Sequence, residues 1–177
     1  EIPKRDWSSD VCSSDLDVLR AFQLQKPYFL YIGNTKQHKN VDLLIRAFEA
    51  SSVDADLVIV APKHEVHDFK HVSKRVRVLS DLSDNVLAAL LSGAKAFVTA
   101  SLYEGYCLPV VEALACGCPV IASRCGAIPE VAADRAVLVE PTFDAFREAF
   151  LSTPEPVVPY RAHTWEECAS QLAKVLL

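Results

Sequence analysis

Short runs of consecutive apolar residues alternate along the chain with longer segments in which apolar residues recur every three or four positions. The continuous runs predict buried strands, and they lie at 28–33, 56–61, 76–79, 96–99, 119–122 and 136–139. The periodic segments predict amphipathic helices, and they lie near 41–50, 83–91, 109–116, 143–152 and 165–176. Ser83 is a candidate N-cap of the second helix, and Pro109 suits the first position of the third.

This alternation predicts the fold class. Strands that are apolar throughout are buried on both faces, and strands followed by helices form parallel sheets covered on both sides. We therefore expect an α/β fold: a doubly wound, Rossmann-like parallel sheet with helices on both faces. Such sheets bind ligands beyond the carboxyl ends of their strands. The segments 33–40 and 100–112, which follow two of the predicted strands, are where we expect function.

Residues 1–16 do not fit the pattern. Ser, Asp and Lys dominate the segment, which has no period of 2 or 3.6. The string 6–16 closely resembles the translation of a common short-read sequencing adapter. We expect 1–16 to be an adapter-derived artefact and 17–177 to be the domain, with 165–177 forming a terminal helix that packs toward a further, N-terminal domain. The alternative is a natural polar leader, although the segment lacks the apolar core of a secretory signal.

Composition excludes several classes of protein. The chain has 177 residues, is 51% hydrophobic and carries a formal net charge of −5, which gives no support for a nucleic-acid-binding surface. No apolar run approaches the roughly 18 residues of a transmembrane helix. An odd number of cysteines remains once Cys12 is excluded, which indicates reduced thiols in a cytosolic protein. Cys116 and Cys118 have the wrong spacing for a zinc knuckle and are expected to be buried as small hydrophobic residues.

Two carboxylates flank the start of the helix predicted at 109–116. Glu112 is the only charged residue in that helix, and a buried carboxylate is costly unless it is paired. A structural Glu bonded to backbone or Arg is the alternative, but the strand-end loop leading into this helix favours function. Glu104 precedes Gly105 in that loop, and the amides of 106–108 approach a helix N-terminus, which attracts anions. A diphosphate bound to these amides, with sugar or ribose hydroxyls donating to both carboxylates, would explain why two negative side chains lie beside an anion site.

The segment 103–117, in which seven residues separate Glu104 from Glu112, resembles the signature of retaining GT-B glycosyltransferases. The most similar group is the glycosyl transferases group 1 family, which includes many mannosyl- and glucosyltransferases. The resemblance begins upstream at 31–40 and continues through 119–123, 126–131 and 138–141, so that it covers nearly everything from about residue 27. It implies that the chain is the C-terminal, donor-binding half of a GT-B fold.

The resemblance also implies a role for each matching residue. Glu104 would contact hydroxyls of the donor sugar, and Lys39 would neutralise charge that develops on the leaving diphosphate, which makes these the two implied catalytic residues. Glu112 would bind the ribose. The other implied substrate-binding positions are Gly33, Asn34, Gly105, Tyr106, Cys107 and Leu108. No metal ligand and no cofactor are implied, since the nucleotide sugar is the substrate.

One position departs from the family pattern. Many relatives carry Arg after the glycine of the first strand, where this chain has Asn34. The difference removes a fixed positive charge near the expected diphosphate. Lys36 or His38 could compensate, and each could equally be a solvent-facing loop residue.

Two further groups of residues have competing interpretations. His64, His67 and His71 could line one face of a helix as a metal site, but an apolar stripe beside them favours a solvated face. Pro129 and Glu130 predict the start of a short helix with a favourable acidic first turn, whereas a sugar contact from Glu130 is the less favoured reading.

The resemblance implies retaining transfer of a hexose, such as mannose or glucose, from a GDP- or UDP-sugar to an acceptor glycan or lipid. A GT-B enzyme has a second Rossmann-like domain on its acceptor side, so we expect this chain to be a truncated enzyme that is inactive alone. The expected location is cytoplasmic, with any attachment to the inner face of a membrane made by the absent half.

Three alternatives remain open at this point. The chain could belong to a related GT-B enzyme such as an epimerase or phosphorylase, to a non-catalytic nucleotide-sugar-binding module, or to a protein-interaction domain with a vestigial pocket. The nucleobase would lie near the loop after 76–79, but the sequence of residues 80–82 does not indicate whether that base is guanine or uracil.

Overall fold

A computed structural model describes residues 19–24, 27–69 and 72–152 of the chain, with residues 67 and 68 described by their backbone alone. Its strands are β1 (Tyr28–Ile32), β2 (Asp56–Val60), β3 (Val76–Leu79), β4 (Ala96–Thr99), β5 (Val120–Ser123) and β6 (Val137–Val139). They form one six-stranded sheet in the order β3-β2-β1-β4-β5-β6, and each neighbouring pair is parallel. The order changes direction between β1 and β4, which makes their carboxyl ends the expected ligand-binding edge.

Helices connect the strands and cover both faces of the sheet. They are α1 (Val41–Ser51), α2 (Asp84–Gly93), α3 (Leu108–Ala115), α4 (Ile128–Ala132) and α5 (Phe143–Leu151), with shorter 3₁₀ segments at Gln37–Lys39 and Lys63–Phe69. The predicted doubly wound α/β fold is confirmed, and the predicted elements between 28 and 152 lie within a few residues of the observed bounds. The helix expected at 165–176 and the segment 1–16 lie outside the described residues.

Alternate residues of each strand enter two separate cores, because successive side chains of a strand point to opposite faces. On one face α1 and α5 pack on Phe29, Tyr31, Leu57 and Ile59. There Phe29, Phe48 and Phe150 meet edge to face, with ring centroids 4.9–6.3 Å apart. On the other face α2, α3 and α4 cover Tyr28, Leu30, Val58 and Phe97. Burial on both faces is the physical reason for the unbroken apolar runs.

The helix starts refine two predictions. Ser83 occupies the N-cap position of α2, but its side chain makes no capping hydrogen bond, whereas Thr142 accepts one from the Ala145 amide at the start of α5. Helix α3 begins at Leu108, one residue before the position predicted from Pro109. The earlier start follows from Cys107, whose carbonyl accepts a hydrogen bond from the Val110 amide and closes the first turn.

Among the residues described, no helix has the length and apolar character needed to cross a bilayer.

Candidate functional site

Two loops meet at the carboxyl edge of the sheet, beside the point where the strand order changes direction. The β1 loop comprises residues 33–40, and the β4 loop comprises residues 100–107. They approach each other because β1 and β4 are neighbouring parallel strands. A backbone hydrogen bond joins them directly, in which the Leu102 amide donates to the His38 carbonyl at 2.7 Å. The two segments in which the sequence predicts function therefore adjoin at the carboxyl edge of the sheet.

Lys39 and Glu104 form an ion pair across this junction. The Lys39 Nζ lies 2.6 Å from the Glu104 Oε1, and the two side chains are only 16% and 10% exposed. A charge-assisted hydrogen bond with so little access to water is stronger than an ion pair at an open surface, where exposed pairs contribute little. The structure thus brings together the two implied catalytic residues, which are far apart in the sequence.

Buried hydroxyl groups fix the base of the β4 loop. Ser101 is fully buried, its carbonyl accepts a hydrogen bond from the Ser123 hydroxyl, and its own hydroxyl lies 3.1 Å from that of Thr99. Further along, the Glu104 carbonyl accepts a hydrogen bond of 3.2 Å from the Ala127 amide. The β4 loop is therefore held to β5 at Ser101 and to the turn that precedes α4 at Glu104.

Gly126 is in close contact with Glu104. Gly126 has a left-handed φ of +57°, and a Cβ atom at this position would lie 2.8 Å from both the backbone nitrogen and the backbone oxygen of Glu104. Real Cβ atoms essentially never approach backbone atoms so closely. The sequence comparison covers 126–131 without assigning Gly126 a role, and the structure gives it one: it allows the turn before α4 to lie against the β4 loop.

Some of the remaining predicted residues of the β4 loop and α3 are exposed, and others are buried. A Cβ at Gly105 would meet no atom within 4 Å, and Tyr106 and Leu108 are 48% and 57% exposed. Cys107 is buried, with a left-handed φ of 61° at the N-cap position of α3. Glu112 is half-buried on α3 itself. Gly105, Tyr106 and Leu108 thus border open space next to Glu104.

Gly33 and Asn34 shape the β1 loop through contacts with Tyr31. The Gly33 amide continues the sheet by donating to the Val60 carbonyl at 3.0 Å, and a Cβ at Gly33 would lie 2.8 Å from the Tyr31 hydroxyl. That hydroxyl donates to the Asn34 carbonyl at 2.7 Å, while the Asn34 side-chain oxygen accepts from the Lys36 amide at 3.2 Å. The Asn34 side chain therefore stabilises its own loop. The side chains of Lys36 and His38, in the same loop, are exposed.

Sequence reasoning missed Glu65. This residue lies in the 3₁₀ segment after β2, and its Oε2 accepts hydrogen bonds from the Thr35 amide at 2.6 Å and the Thr35 hydroxyl at 3.0 Å. The bonds from Thr35 lower the pKa of the Glu65 carboxyl below its ordinary value. No sequence signal links two residues so far apart.

Of the three histidines considered as a metal site, only His64 has a described side chain. The His64 Nε2 lies 3.4 Å from the Glu65 Oε1, and no group of three or more potential metal ligands occurs among the described side chains. The side chain of His67 and all of His71 lie outside those described.

The surroundings of Glu104 keep nearby acidic groups protonated. Burial, together with the negative charge of Glu104, raises the pKa of the Cys107 thiol to about 12. Burial is also the main cause of the raised pKa of Tyr31, to which Glu104 adds as well. Away from this site, Cys118 lies before β5 at the amino end of the strands, and burial raises the pKa of its thiol to about 12. The Cys107 thiol and the Tyr31 phenol beside the ion pair are therefore uncharged at neutral pH.

Alkaline conditions should destabilise the fold through these groups. A thiol that titrates near 9 when unfolded and near 12 when folded favours the folded state fully below pH 9 and loses that contribution as the pH rises toward 12. For Cys107 the expected loss is about 1.4 kcal/mol for each pH unit above 9. Urea unfolding under reducing conditions at pH 7, 9, 10 and 11 measures it. Cys107→Ala should decline less steeply, and equal slopes in both proteins would contradict the assignment.

Comparison with known proteins identifies the family. The family model described as glycosyl transferases group 1 matches residues 19–153. The chain belongs to the glycosyl transferases group 1 family. The O-antigen chain mannosyltransferase B of Escherichia coli is 28% identical over 90% of this chain and 51% of its own length. The chain therefore spans about half the length of that relative.

Two solved structures show the same fold. The C-terminal domain of the group 1 family protein LpcC from Francisella tularensis has a TM-score of 0.63 and 22% identity, covering 80% of this chain and 85% of that one. HepE from Anabaena, solved in complex with UDP-glucose, has a TM-score of 0.70 and 16% identity, covering 81% of this chain and 45% of that one. The fold of this group 1 domain is thus the C-terminal half of a GT-B fold, as the resemblance implies.

Proposed function

We propose that this group 1 domain binds a nucleoside diphosphate sugar, a GDP- or UDP-hexose, for retaining transfer of mannose or glucose to an acceptor glycan or lipid. The observation that carries the proposal is the Lys39–Glu104 pair, which lies largely out of water at the carboxyl edge of a doubly wound sheet. The E. coli relative is a mannosyltransferase and HepE was solved with UDP-glucose, and both facts support this donor class.

The two members of the pair suit the two ends of such a donor. A diphosphate attracts the Lys39 ammonium, and the same ammonium offsets the charge that accumulates on the diphosphate as the bond to the sugar breaks. Glu104, acting only as a hydrogen-bond acceptor, takes the sugar hydroxyls. The open space beside Gly105 is where the sugar would lie, and Glu112 on α3 would accept from the ribose hydroxyls. We propose that no cofactor takes part.

The acceptor side is proposed to lie beyond this chain. The chain spans about half the length of the E. coli relative, and a two-domain arrangement would complete the active site from the other half. We therefore propose that the 177-residue chain binds donor without transferring the sugar. We also propose a cytoplasmic location, which agrees with the cysteines of the described region being thiols rather than disulfides.

Thermal-shift and calorimetric titrations of the 177-residue chain with UDP, GDP and ADP test the donor site. At about one hundred times its dissociation constant, the preferred diphosphate should stabilise the fold by roughly 2.7 kcal/mol. The corresponding monophosphate should stabilise it less because it offers Lys39 a smaller charge. Glu112→Ala should weaken the ribonucleotide more than its 2′-deoxy analogue. The matched control is Glu148→Ala, an exposed carboxylate on α5. A folded chain that responds to none of the three diphosphates contradicts the proposal.

A further inference from the structure

The β1 loop has little regular backbone bonding of its own. At its start, the Gly33 amide donates a hydrogen bond to the Val60 carbonyl of β2. At its end, the Lys39 amide closes the 3₁₀ turn by donating to the Lys36 carbonyl at 2.8 Å. Between these points the loop depends on side chains. Tyr31 and Asn34 act from within or beside the loop, whereas Glu65 comes from a separate segment, after β2.

We propose that Glu65 is the positioning residue of the β1 loop, holding Thr35 so that the turn carrying Lys39 faces the donor diphosphate. The carboxylate binds the amide and the hydroxyl of one residue together, which fixes both the place and the orientation of Thr35. Charge-assisted bonds of this kind are among the stronger ones in proteins. Lys39 lies only four residues further on, at the end of the turn that follows. The inference rests on the proposed function, because it concerns the same diphosphate site.

The direction in which diphosphate affinity changes when Glu65 is removed distinguishes positioning from simple electrostatics. A carboxylate near an anion site repels the anion, so its removal should raise the affinity for a diphosphate. Positioning predicts the opposite: removal releases Thr35, the turn samples other orientations, and Lys39 meets the diphosphate less often. Glu65 binds Thr35, four residues before Lys39 in the same loop, so its charge lies on the side of the loop where the electrostatic effect would also operate.

Isothermal titration of the 177-residue chain with UDP and with GDP measures the effect in wild type, Glu65→Ala and Glu65→Gln. We expect Glu65→Ala to weaken binding of the preferred diphosphate roughly three- to tenfold. Glu65→Gln, which keeps an acceptor oxygen, should recover much of the loss. The matched control is Glu49→Ala, because Glu49 also accepts a hydrogen bond from a loop amide, that of Ser73 at 2.9 Å, but before β3 at the opposite edge of the sheet. This control should bind as wild type does.

A double-mutant cycle tests whether Glu65 acts through Lys39. In a Lys39→Met background, Glu65→Ala should change the affinity by less than about twofold, whereas an equal loss in both backgrounds overturns the proposal. Unchanged or tighter binding by Glu65→Ala also overturns it.

Amide hydrogen exchange supplies a measurement that needs no nucleotide. Exchange across 35–39 should accelerate in Glu65→Ala while the amides of β1 and β4 stay protected, and unchanged exchange in the loop overturns the positioning role. If wild type binds neither nucleotide while the exchange result holds, the proposed donor site is overturned and the anchoring of Thr35 stands.

Discussion

Replacing Lys39 by Met should weaken binding of the preferred nucleoside diphosphate roughly 10- to 100-fold, because a hydrogen bond to a charged group contributes about 1.5–3 kcal/mol. Methionine keeps the length and much of the apolar stem of lysine but removes the ammonium. Isothermal titration with UDP and GDP measures the change, and the melting temperature without ligand reports any loss of folding. Lys36→Met is the matched control, since it removes an exposed lysine from the same loop. It should reduce the affinity far less.

Glu104→Gln should act in the opposite direction on the same ligand. In the unliganded chain the Glu104 carboxylate holds the Lys39 ammonium at 2.6 Å, so a diphosphate must compete with it. Glutamine removes that competing charge while keeping a similar shape, and the affinity for the bare diphosphate should rise. The affinity for the nucleotide sugar should gain less, because the sugar hydroxyls lose a carboxylate acceptor. Equal losses of diphosphate affinity in both variants would indicate a structural ion pair and contradict the proposed roles.

The fold could be predicted because its signals are local. Strands such as β1 and β2 are buried on both faces, so they read as unbroken apolar runs, and α1 shows helical spacing that places Leu44 and Phe48 in the core. Each signal lies within one element, and the parallel order follows from the alternation of strand and helix. The start of α3 lies one residue before the predicted position, because the left-handed Cys107 closes the first turn early.

The proximity of Lys39 and Glu104 was predictable only through the family resemblance. Topology places both loops at the carboxyl edge, but many side chains share that edge. Their direct pairing depends on the particular bend of each loop. For Glu104 that bend is fixed by hydroxyl and amide contacts from β5 and the turn before α4.

Glu65 and Gly126 were missed for a common physical reason. Each acts on the backbone of a residue distant in sequence, Thr35 in one case and Glu104 in the other. Backbone amides and carbonyls recur at nearly every position, so a partner that binds them leaves no mark in the sequence, and the Thr35 hydroxyl that Glu65 also binds does not identify a distant partner. Such contacts become visible only when the loops are seen together.

Gly126→Ala should destabilise the domain by about 2 kcal/mol or more. An L-residue in the left-handed conformation costs roughly 1–2 kcal/mol, and the added Cβ would lie 2.8 Å from two backbone atoms of Glu104, which must then move. For a chain of this size the melting temperature should fall by roughly 4–8 °C. Thermal unfolding measures the loss, and hydrogen exchange should show its local origin as faster exchange in the β4 loop.

Gly105→Ala is the matched control for that substitution, because it adds the same methyl group to the same loop region. Gly105 has no positive φ, and a Cβ there would meet no atom within 4 Å. Its melting temperature should therefore remain close to that of wild type. A small effect at Gly126 would mean that the turn before α4 can move away from Glu104 at little cost. The β4 loop would then owe its position to Ser101 and Ser123 instead, and Ser123→Ala would be the variant that releases Glu104.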